Sequence, residues 1–290
     1  MISILIPCYN YPTYDLVNIL YKQCIDLKIS FEILVSEDGG KKYLDENRKI
    51  NSLNNCVYIE NKNNLGRVLN KNLLLKQSKF NLKLLLDSDV IPSSENFIKI
   101  YLDFSKEFKT FACFGGLSYN KTKSSKKSLR FNYGIKRECK KASVRLKKPY
   151  KLFLTSNTLL KNCEQTFEEK ITNYGFEEVV FADKLKRKNI DVLHINNSVI
   201  HKNLETNEVF IKKIEEGLRT LISLEKQNIV SKGKNQVSKV YHLASKLFLS
   251  KLLSWFFERL KNPILRILIY KGKPIWLLDI YRILYFSKNY

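Results

Sequence analysis

The first ninety residues alternate between short apolar runs and segments with helical spacing, and this alternation constrains the fold more than any other feature. Four apolar runs have the length of buried strands, and we predict strands there: residues 2–6, 31–36, 56–59 and 82–86. Residues 14–27 and 66–78 carry apolar side chains at helical spacing, and a polar helix is expected before the third strand. Strands and helices that alternate at such short intervals predict a parallel sheet with helices on both faces.

The rest of the chain is more mixed. We predict further strands and helices in five segments: strands at 111–117, 151–160 and 190–195, and helices at 177–188 and 207–227. Residues 119–151 are rich in Lys and Ser and weakly patterned, so a long flexible loop is expected there. Such a loop is either simply solvated or acts as a lid that attracts an anionic substrate.

Polar residues follow three of the predicted strands, at residues 7–10, 37–40 and 87–89. In a parallel α/β sheet, ligands bind beyond the carboxyl ends of the strands. If the strands are correctly placed, all three clusters line one edge of the sheet. This convergence predicts a ligand site at that edge.

The third cluster, Asp87-Ser88-Asp89, directly follows three leucines. Carboxylates at positions i and i+2 of an extended segment point the same way. Two such carboxylates suit a hard divalent cation, Mg²⁺ or Mn²⁺, held together with substrate phosphates. The alternative is a polar strand end that caps the next helix through Asp89 or Ser93. The leucine run and the acidic residues at 37–38 favour a ligand site.

The net charge of +23 is concentrated in two blocks. Residues 119–151 hold thirteen basic residues and one acidic residue, and residues 237–290 hold ten and two. A uniformly basic nucleic-acid-binding protein would not show this distribution. The six cysteines form no CxxC pair, which predicts buried thiols in a reducing compartment rather than a disulfide framework or a zinc site.

The C-terminal block alternates lysines and arginines with leucines and aromatic residues. Residues 239–261 predict a helix with a broad apolar stripe, with Lys239, Lys246, Ser250 and Lys261 on the other side. This pattern is typical of an interfacial helix on anionic lipid, and the alternatives are a layer packed on the sheet or an oligomer contact. The N-terminus has no signal-peptide pattern, and no apolar run reaches the roughly 18 residues of a spanning helix. We therefore expect a cytoplasmic protein, either free or attached peripherally to the cytoplasmic membrane face.

Six motifs in order resemble the family 2 glycosyltransferases, which have the GT-A fold. The segments that carry the resemblance are SILIPCYN, EILVSEDGG, NKNNLGRVLNKN, LLLDSDV and NYGFEEVVFADKLKRKNIDVLHINNSVIH, the last of which holds both an acidic segment and a histidine. The resemblance covers residues 1–225. It implies an α/β, Rossmann-like, mostly parallel sheet flanked by helices. Together with the change in composition near residue 237, it predicts a catalytic domain at 1–236 and a basic amphipathic helical extension at 237–290.

The resemblance also implies roles for single residues. The donor nucleotide would be bound by Pro7, Tyr9, Asn10, Asp38, Asn64, Gly66, Arg67, Asp87 and Ser88. Within that set, Asp38 would contact the base, usually uracil, and Asp87 would lie near the ribose. Asp89 would bind Mn²⁺ or Mg²⁺ at the diphosphate, with His201 closing over the metal.

The catalytic base is expected in the string Gly175-Phe176-Glu177-Glu178. Similar enzymes more often have Asp where this chain has Glu178, so the carboxylate is kept on a side chain one methylene longer. We predict Glu178 as the base, with Glu177 as the alternative or as a structural partner.

The expected reaction is inverting transfer of a sugar from a nucleotide-diphosphate donor, a UDP-sugar, to a hydroxyl of a glycan or lipid-linked glycan. The expected partners are that donor, that acceptor and an anionic membrane surface, without nucleic acid. The rival functions are a basic nucleic-acid-binding protein and an inactive membrane scaffold of the same fold. A nucleotidyltransferase is disfavoured because IPCYNYP is not a glycine-rich phosphate loop.

Overall fold

The structure, a computed structural model, describes residues 1–122 and 124–290. The strands within these ranges are β1 (Ile2–Cys8), β2 (Phe31–Glu37), β3 (Cys56–Glu60), β4 (Leu82–Leu86), β5 (Val90–Pro92), β6 (Phe111–Phe114), β7 (Leu117–Tyr119), β8 (Asn157–Lys161), β9 (Val192–His194) and β10 (Val199–His201). The helices are α1 (Tyr14–Asp26), α2 (Leu44–Arg48), α3 (Arg67–Gln77), α4 (Phe97–Ser105), α5 (Leu129–Arg137), α6 (Ala142–Arg145), α7 (Glu177–Arg187), α8 (Asn207–Lys226), α9 (Gln236–Lys246), α10 (Ser250–Lys271) and α11 (Ile275–Asn289). Short 3₁₀ helices cover Lys49–Ser52 and Ser124–Lys127.

The main sheet of the described chain has seven strands in the order β3-β2-β1-β4-β8-β6-β9. Neighbours are parallel from β3 to β4 and again between β6 and β9, while β8 runs antiparallel to both β4 and β6. The strands β1 and β4 and the centre of β2 are mainly apolar because both faces of these strands are buried. The predicted α/β architecture, a mostly parallel sheet flanked by helices, is confirmed.

A second, three-stranded sheet has the order β5-β10-β7. Strand β10 is antiparallel to β5, in a register that pairs His201 with Val90. This register brings His201 beside the residue that follows Asp89 in the chain. The small sheet thus connects two motifs that are more than one hundred residues apart in sequence.

The chain divides into two compact units. The first unit contains Met1–Asn120, Glu138–Thr172 and Glu177–Asn203, and the second contains Lys121–Arg137, Asn173–Phe176 and Leu204–Tyr290. Helix α8 groups with the C-terminal helices because its buried apolar side chains, such as Leu218 and Leu221, contribute to the core of that unit. The second unit therefore begins well before residue 237, where the composition changes.

Two expectations about local structure need correction. Apart from residue 123, which lies outside the described residues, 119–151 are not one flexible loop, since they hold α5 and α6, and α5 buries Leu129 and Phe131 within its basic sequence. The helix expected over 239–261 is two helices, because Phe248 has a left-handed backbone (φ +59°) that interrupts it between α9 and α10. Among the described residues, no helix has both the length and the apolar content to cross a membrane.

Candidate active site

The loops that follow β1 and β2 are joined by hydrogen bonds at the carboxyl edge of the main sheet. The Glu37 carboxylate accepts hydrogen bonds from the backbone N–H groups of Asn10 (3.0 Å) and Gly40 (3.2 Å). Asn10 Oδ1 in turn accepts from the N–H groups of Lys41 and Lys42. The predicted nucleotide loop thus forms one structure with the acidic cluster at 37–40, with Pro7 inside β1 and the Tyr9 side chain exposed.

Asp38 is buried and is bonded to the loop that precedes α3. Its Oδ1 accepts from Leu65 N at 2.6 Å. Burial raises the pKa of Asp38, and hydrogen bonds from the Leu65 and Gly66 N–H groups oppose that rise. In the same loop, Asn64 Oδ1 accepts from Gly66 N at 3.0 Å. The predicted nucleotide-binding segment around Asn64 and Gly66 therefore lies against the acidic cluster at 37–40.

Gly39 allows this close approach of the two loops. Its backbone is left-handed (φ +71°), and a Cβ at this position would lie 2.5 Å from Asn64 N. Only glycine fits both the conformation and the space. The second glycine of the pair, Gly40, is confined by side chains rather than backbone, because a Cβ there would meet Glu37 Oε1 and Asn10 Oδ1.

Arg67, the first residue of α3, joins the strand-end aspartates to the acidic pair of α7. Its Nη2 lies 3.2 Å from Asp87 Oδ2, and its Nε lies 3.0 Å from Glu177 Oε1. Burial alone would raise the pKa of each carboxyl, but the charges of Arg67 and Lys71 outweigh it and lower both pKa values. Asp87 and Glu177 are therefore ion-paired carboxylates.

Glu178 has different surroundings from Glu177. Its Oε1 accepts from the backbone N of Thr155 (3.0 Å) and from Thr155 Oγ1 (2.8 Å). The Lys71 ammonium, which is completely buried, donates to the same Thr155 Oγ1 at 2.8 Å and lies 3.8 Å from Glu177 Oε1. Among the described residues, no hydrogen bond engages the second oxygen, Oε2, of Glu178.

The pKa values of the two adjacent glutamates move in opposite directions. Burial raises the pKa of Glu178, and the neighbouring Glu177 charge raises it further. A carboxylate with a raised pKa and one unengaged oxygen is suited to accept a proton near neutral pH. Glu177, held by Arg67 and Lys71, has the properties of a structural partner.

Asp89 and His201 converge next to this network. His201 Nε2 lies 3.4 Å from Asp89 Oδ2, and the Lys202 N–H donates to the Asp89 carbonyl oxygen at 2.9 Å. The imidazole stacks on the Tyr119 ring at 5.3 Å between centroids, and its buried Nδ1 has no hydrogen-bond partner within the described chain. No group of three or more His, Cys, Asp or Glu side chains among the described residues is placed to hold a metal ion.

An Asp oxygen and a His nitrogen at this separation fit a partly open site for Mn²⁺ or Mg²⁺, in which phosphate oxygens and water supply the other ligands. Ser88 lies in the turn between the two aspartates, near the Cys8 thiol. We call Asp38, Asp87, Asp89, Glu177 and Glu178 the acidic rim. Asp38 contacts the loop before α3, Arg67 contacts Asp87 and Glu177, and His201 contacts Asp89, all within one unit of the chain.

Sequence reasoning missed Lys71 and Thr155. Lys71 carries a detectable signal, because it is one helical turn after Arg67 and therefore lies on the same face of α3. Thr155 carries none, since its contact with Lys71 joins positions 84 residues apart.

The comparisons with known proteins agree with this geometry. Residues 3–162, more than half of the chain, match the family model "Glycosyl transferase family 2". The structure is similar to that of the mannosyltransferase PcManGT from Pyrobaculum calidifontis in complex with GDP-Man and Mn²⁺, with a TM-score of 0.58 and 13% identity over 99% of this chain and 86% of that one. TarS 1–349 from S. aureus, also solved in complex with UDP, has a TM-score of 0.47 and 17% identity over 99% of this chain and 90% of that one.

None of the curated proteins matches the sequence. The family match carries the assignment, and the likeness to PcManGT supports the GT-A fold. The chain therefore belongs to glycosyltransferase family 2 and is a glycosyltransferase.

Proposed function

We propose that this glycosyltransferase moves a sugar from a nucleotide-diphosphate donor, a UDP-sugar, to a hydroxyl of a glycan or lipid-linked glycan, with inversion at the anomeric carbon. The observation that carries the proposal is the contrast at the acidic rim. There, Glu178 is oriented by Thr155 with a raised pKa, while Asp87 and Glu177 are ion-paired with Arg67. The Glu178 carboxylate is thus available for proton transfer. The ion-paired residues beside it are suited to binding the donor.

The donor would be bound by the loops around Asn10, Asp38 and Asn64, which the hydrogen bonds to Glu37 and Leu65 hold together. Asp38 would contact the base, and Asp87 and Ser88 would lie near the ribose. Asp89 and His201 would hold Mn²⁺ or Mg²⁺, whose positive charge offsets the negative charge that develops on the leaving diphosphate. The Mn²⁺ bound to PcManGT supports use of a divalent cation in this fold.

Glu178 would act as the general base. Its carboxylate accepts the proton of the acceptor hydroxyl while that oxygen bonds to the anomeric carbon, and the bond from this carbon to the diphosphate oxygen breaks. The nucleoside diphosphate departs with the electron pair. A single displacement inverts the anomeric centre and needs no covalent nucleophile, in contrast to the two flanking carboxylates of glycoside hydrolysis.

A thermal-shift series tests the proposal. The purified protein is heated with UDP, GDP and their sugar conjugates, each with and without Mn²⁺. We expect UDP compounds to stabilise the fold only when Mn²⁺ is present, by about 2.7 kcal/mol at a ligand concentration one hundred times the Kd. Stabilisation by GDP compounds instead would show that the nucleobase of the donor is guanine rather than uracil. Stabilisation by no nucleotide would contradict the proposed function.

A further inference from the structure

The turn between α9 and α10 exposes a group of large apolar side chains in the second unit. We call it the elbow patch, and it consists of Leu243, Leu247, Phe248, Leu249, Leu252 and Trp255. Phe248 is 92% exposed, and Leu243 and Leu247 are each 60% exposed. A water-soluble domain rarely leaves neighbouring apolar residues of this size exposed without a partner for them.

The two helices bring their apolar stripes to the same turn. Leu243 belongs to α9 and Leu247 caps that helix one turn later, and Leu252 and Trp255 are three residues apart on α10, so each pair shares a face. Phe248 lies between the helices in a left-handed conformation, which the Leu247–Leu249 turn requires. The most exposed apolar residue thus lies where the two stripes meet.

Positive charge predominates around the elbow patch. From Gln227 to Phe257 the sequence contains no Asp or Glu and five lysines, of which Lys239, Lys246 and Lys251 belong to α9 and α10. The next acidic residue, Glu258, is ion-paired with Lys288. One turn beyond the patch, the Arg259 guanidinium lies 5.7 Å from the Trp255 ring centre. A basic margin around an apolar centre complements a surface with negative head groups outside and hydrocarbon inside.

We infer that the elbow patch is a membrane-docking site that inserts its apolar side chains into the head-group region of an anionic bilayer. Trp255 suits this depth because an indole has an apolar body and a polar N–H. The site is a surface anchor. It deepens the proposed function by naming the surface at which the acceptor would be met, yet the docking itself needs neither donor nor metal.

Vesicle co-sedimentation of the full chain tests this inference. The vesicles are pure phosphatidylcholine or phosphatidylcholine with about one third phosphatidylglycerol. We expect binding to the anionic vesicles that weakens with salt, and at least a tenfold loss of binding in the double variant Leu247→Ser/Phe248→Ser. The control Ile25→Ser removes an exposed apolar residue from α1 in the other unit and should bind like the unchanged protein.

A fluorescence measurement locates the contact. Trp276→Phe leaves Trp255 as the only tryptophan, since the chain has two. Its emission should shift to the blue on anionic vesicles and be quenched by brominated lipid. An unshifted emission together with full vesicle binding would place the docking site elsewhere and overturn the inference.

Two further outcomes decide whether a membrane or a second copy of the chain covers the elbow patch. Absence of binding to anionic vesicles overturns membrane docking, and a vesicle-free dimer that Phe248→Ser dissociates would assign the patch to a second copy of the chain. The Mn²⁺- and UDP-dependent thermal shift is measured on the same preparations. Because it reports on the acidic rim alone, failure of docking and failure of the proposed function are distinguished.

Discussion

The acidic rim and the elbow patch depart from ordinary protein surfaces in opposite ways. At the rim, a fully buried lysine and two largely buried carboxylates, Asp87 and Glu177, are removed from much of the water that would stabilise their charges. At the elbow, Phe248 and its neighbours keep large apolar surfaces in water. The first arrangement carries a desolvation cost, and the second forgoes hydrophobic stabilisation.

The two regions differ in whether contacts within the chain offset these costs. The rim charges are compensated within the chain, because Arg67 contacts both Asp87 and Glu177 and Lys71 bonds to Thr155. The elbow has no such compensation within its own helices. Loss of a compensating cation, Arg67 or Lys71, should therefore destabilise the free protein, whereas changes at the elbow should act only when a lipid surface is present.

The largest effect is expected for Glu178→Gln. The amide keeps the shape of the side chain but accepts no proton, so release of nucleoside diphosphate from the donor should fall by roughly 10²–10⁴-fold. Donor affinity, measured by calorimetry, should remain near that of the unchanged enzyme. Turnover that survives this substitution would show that Glu178 is not the base.

Asp89→Ala should come next. We expect the Mn²⁺-dependent part of nucleotide stabilisation to disappear, because one of the two converging side chains is lost, while the Tm without ligand stays within a few degrees. The matched variant Asp103→Ala removes a carboxylate from α4, outside the acidic rim, and keeps both candidate ligands. A Mn²⁺ response that persists in Asp89→Ala would contradict the metal assignment.

Gly39→Ala should lower the free energy of unfolding by about 1–3 kcal/mol, through backbone strain and the clash with Asn64. Gly233→Ala is a matched control, because Gly233 is also left-handed (φ +76°) but a Cβ there would meet only Lys239 Cα at 3.7 Å. Urea unfolding compares the two variants. Equal losses would show that the crowding at Gly39 is unimportant.

Thr155→Val should alter the pH dependence of turnover. The substitution removes the hydroxyl that donates to Glu178 Oε1, which destabilises the carboxylate and raises its pKa further. Because a base must be deprotonated, the acidic limb of the pH profile should move to higher pH, while the rate at alkaline pH changes less. Thr155→Ser restores the hydroxyl and should restore the profile, and an unmoved limb in the valine variant would contradict the positioning role.

The smallest effect is expected for Phe248→Ser in the absence of lipid. Its free energy of unfolding should remain within about 0.5 kcal/mol of the unchanged protein, since a side chain this exposed contributes little to the core. Chemical denaturation measures it. A large loss of stability would show that Phe248 packs within the free protein, and the contrast between the two regions would fail.

The strands and the rim were predictable because their signals are local. The four predicted strands have nearly the observed bounds. Polar residues follow three of them, and these residues meet at one edge because β2, β1 and β4 are parallel neighbours. Strand β1 continues two residues further than expected, through Pro7 to Cys8. The proline is tolerated because the pairing with β4 has already ended at Leu5.

The remaining features depend on contacts that a local pattern does not contain. Thr155 reaches Lys71 only after the sheet has formed, and the basic residues around Leu129 and Phe131 conceal the apolar positions of α5. In the sequence, the apolar stripe continues through Phe248 without interruption. In the structure, the backbone turns at this residue and separates α9 from α10. The sequence therefore predicted the chemistry of the elbow patch and missed its shape.

A crystal structure with UDP and Mn²⁺, measured at a wavelength where manganese scatters anomalously, tests the central claim most directly. We predict an anomalous peak within bonding distance of Asp89 and His201. The diphosphate should lie next to this peak, and the Glu178 carboxylate should lie on the side where the donor sugar would bind. A peak remote from Asp89, or a nucleotide bound away from Asp38 and Glu178, would contradict the account.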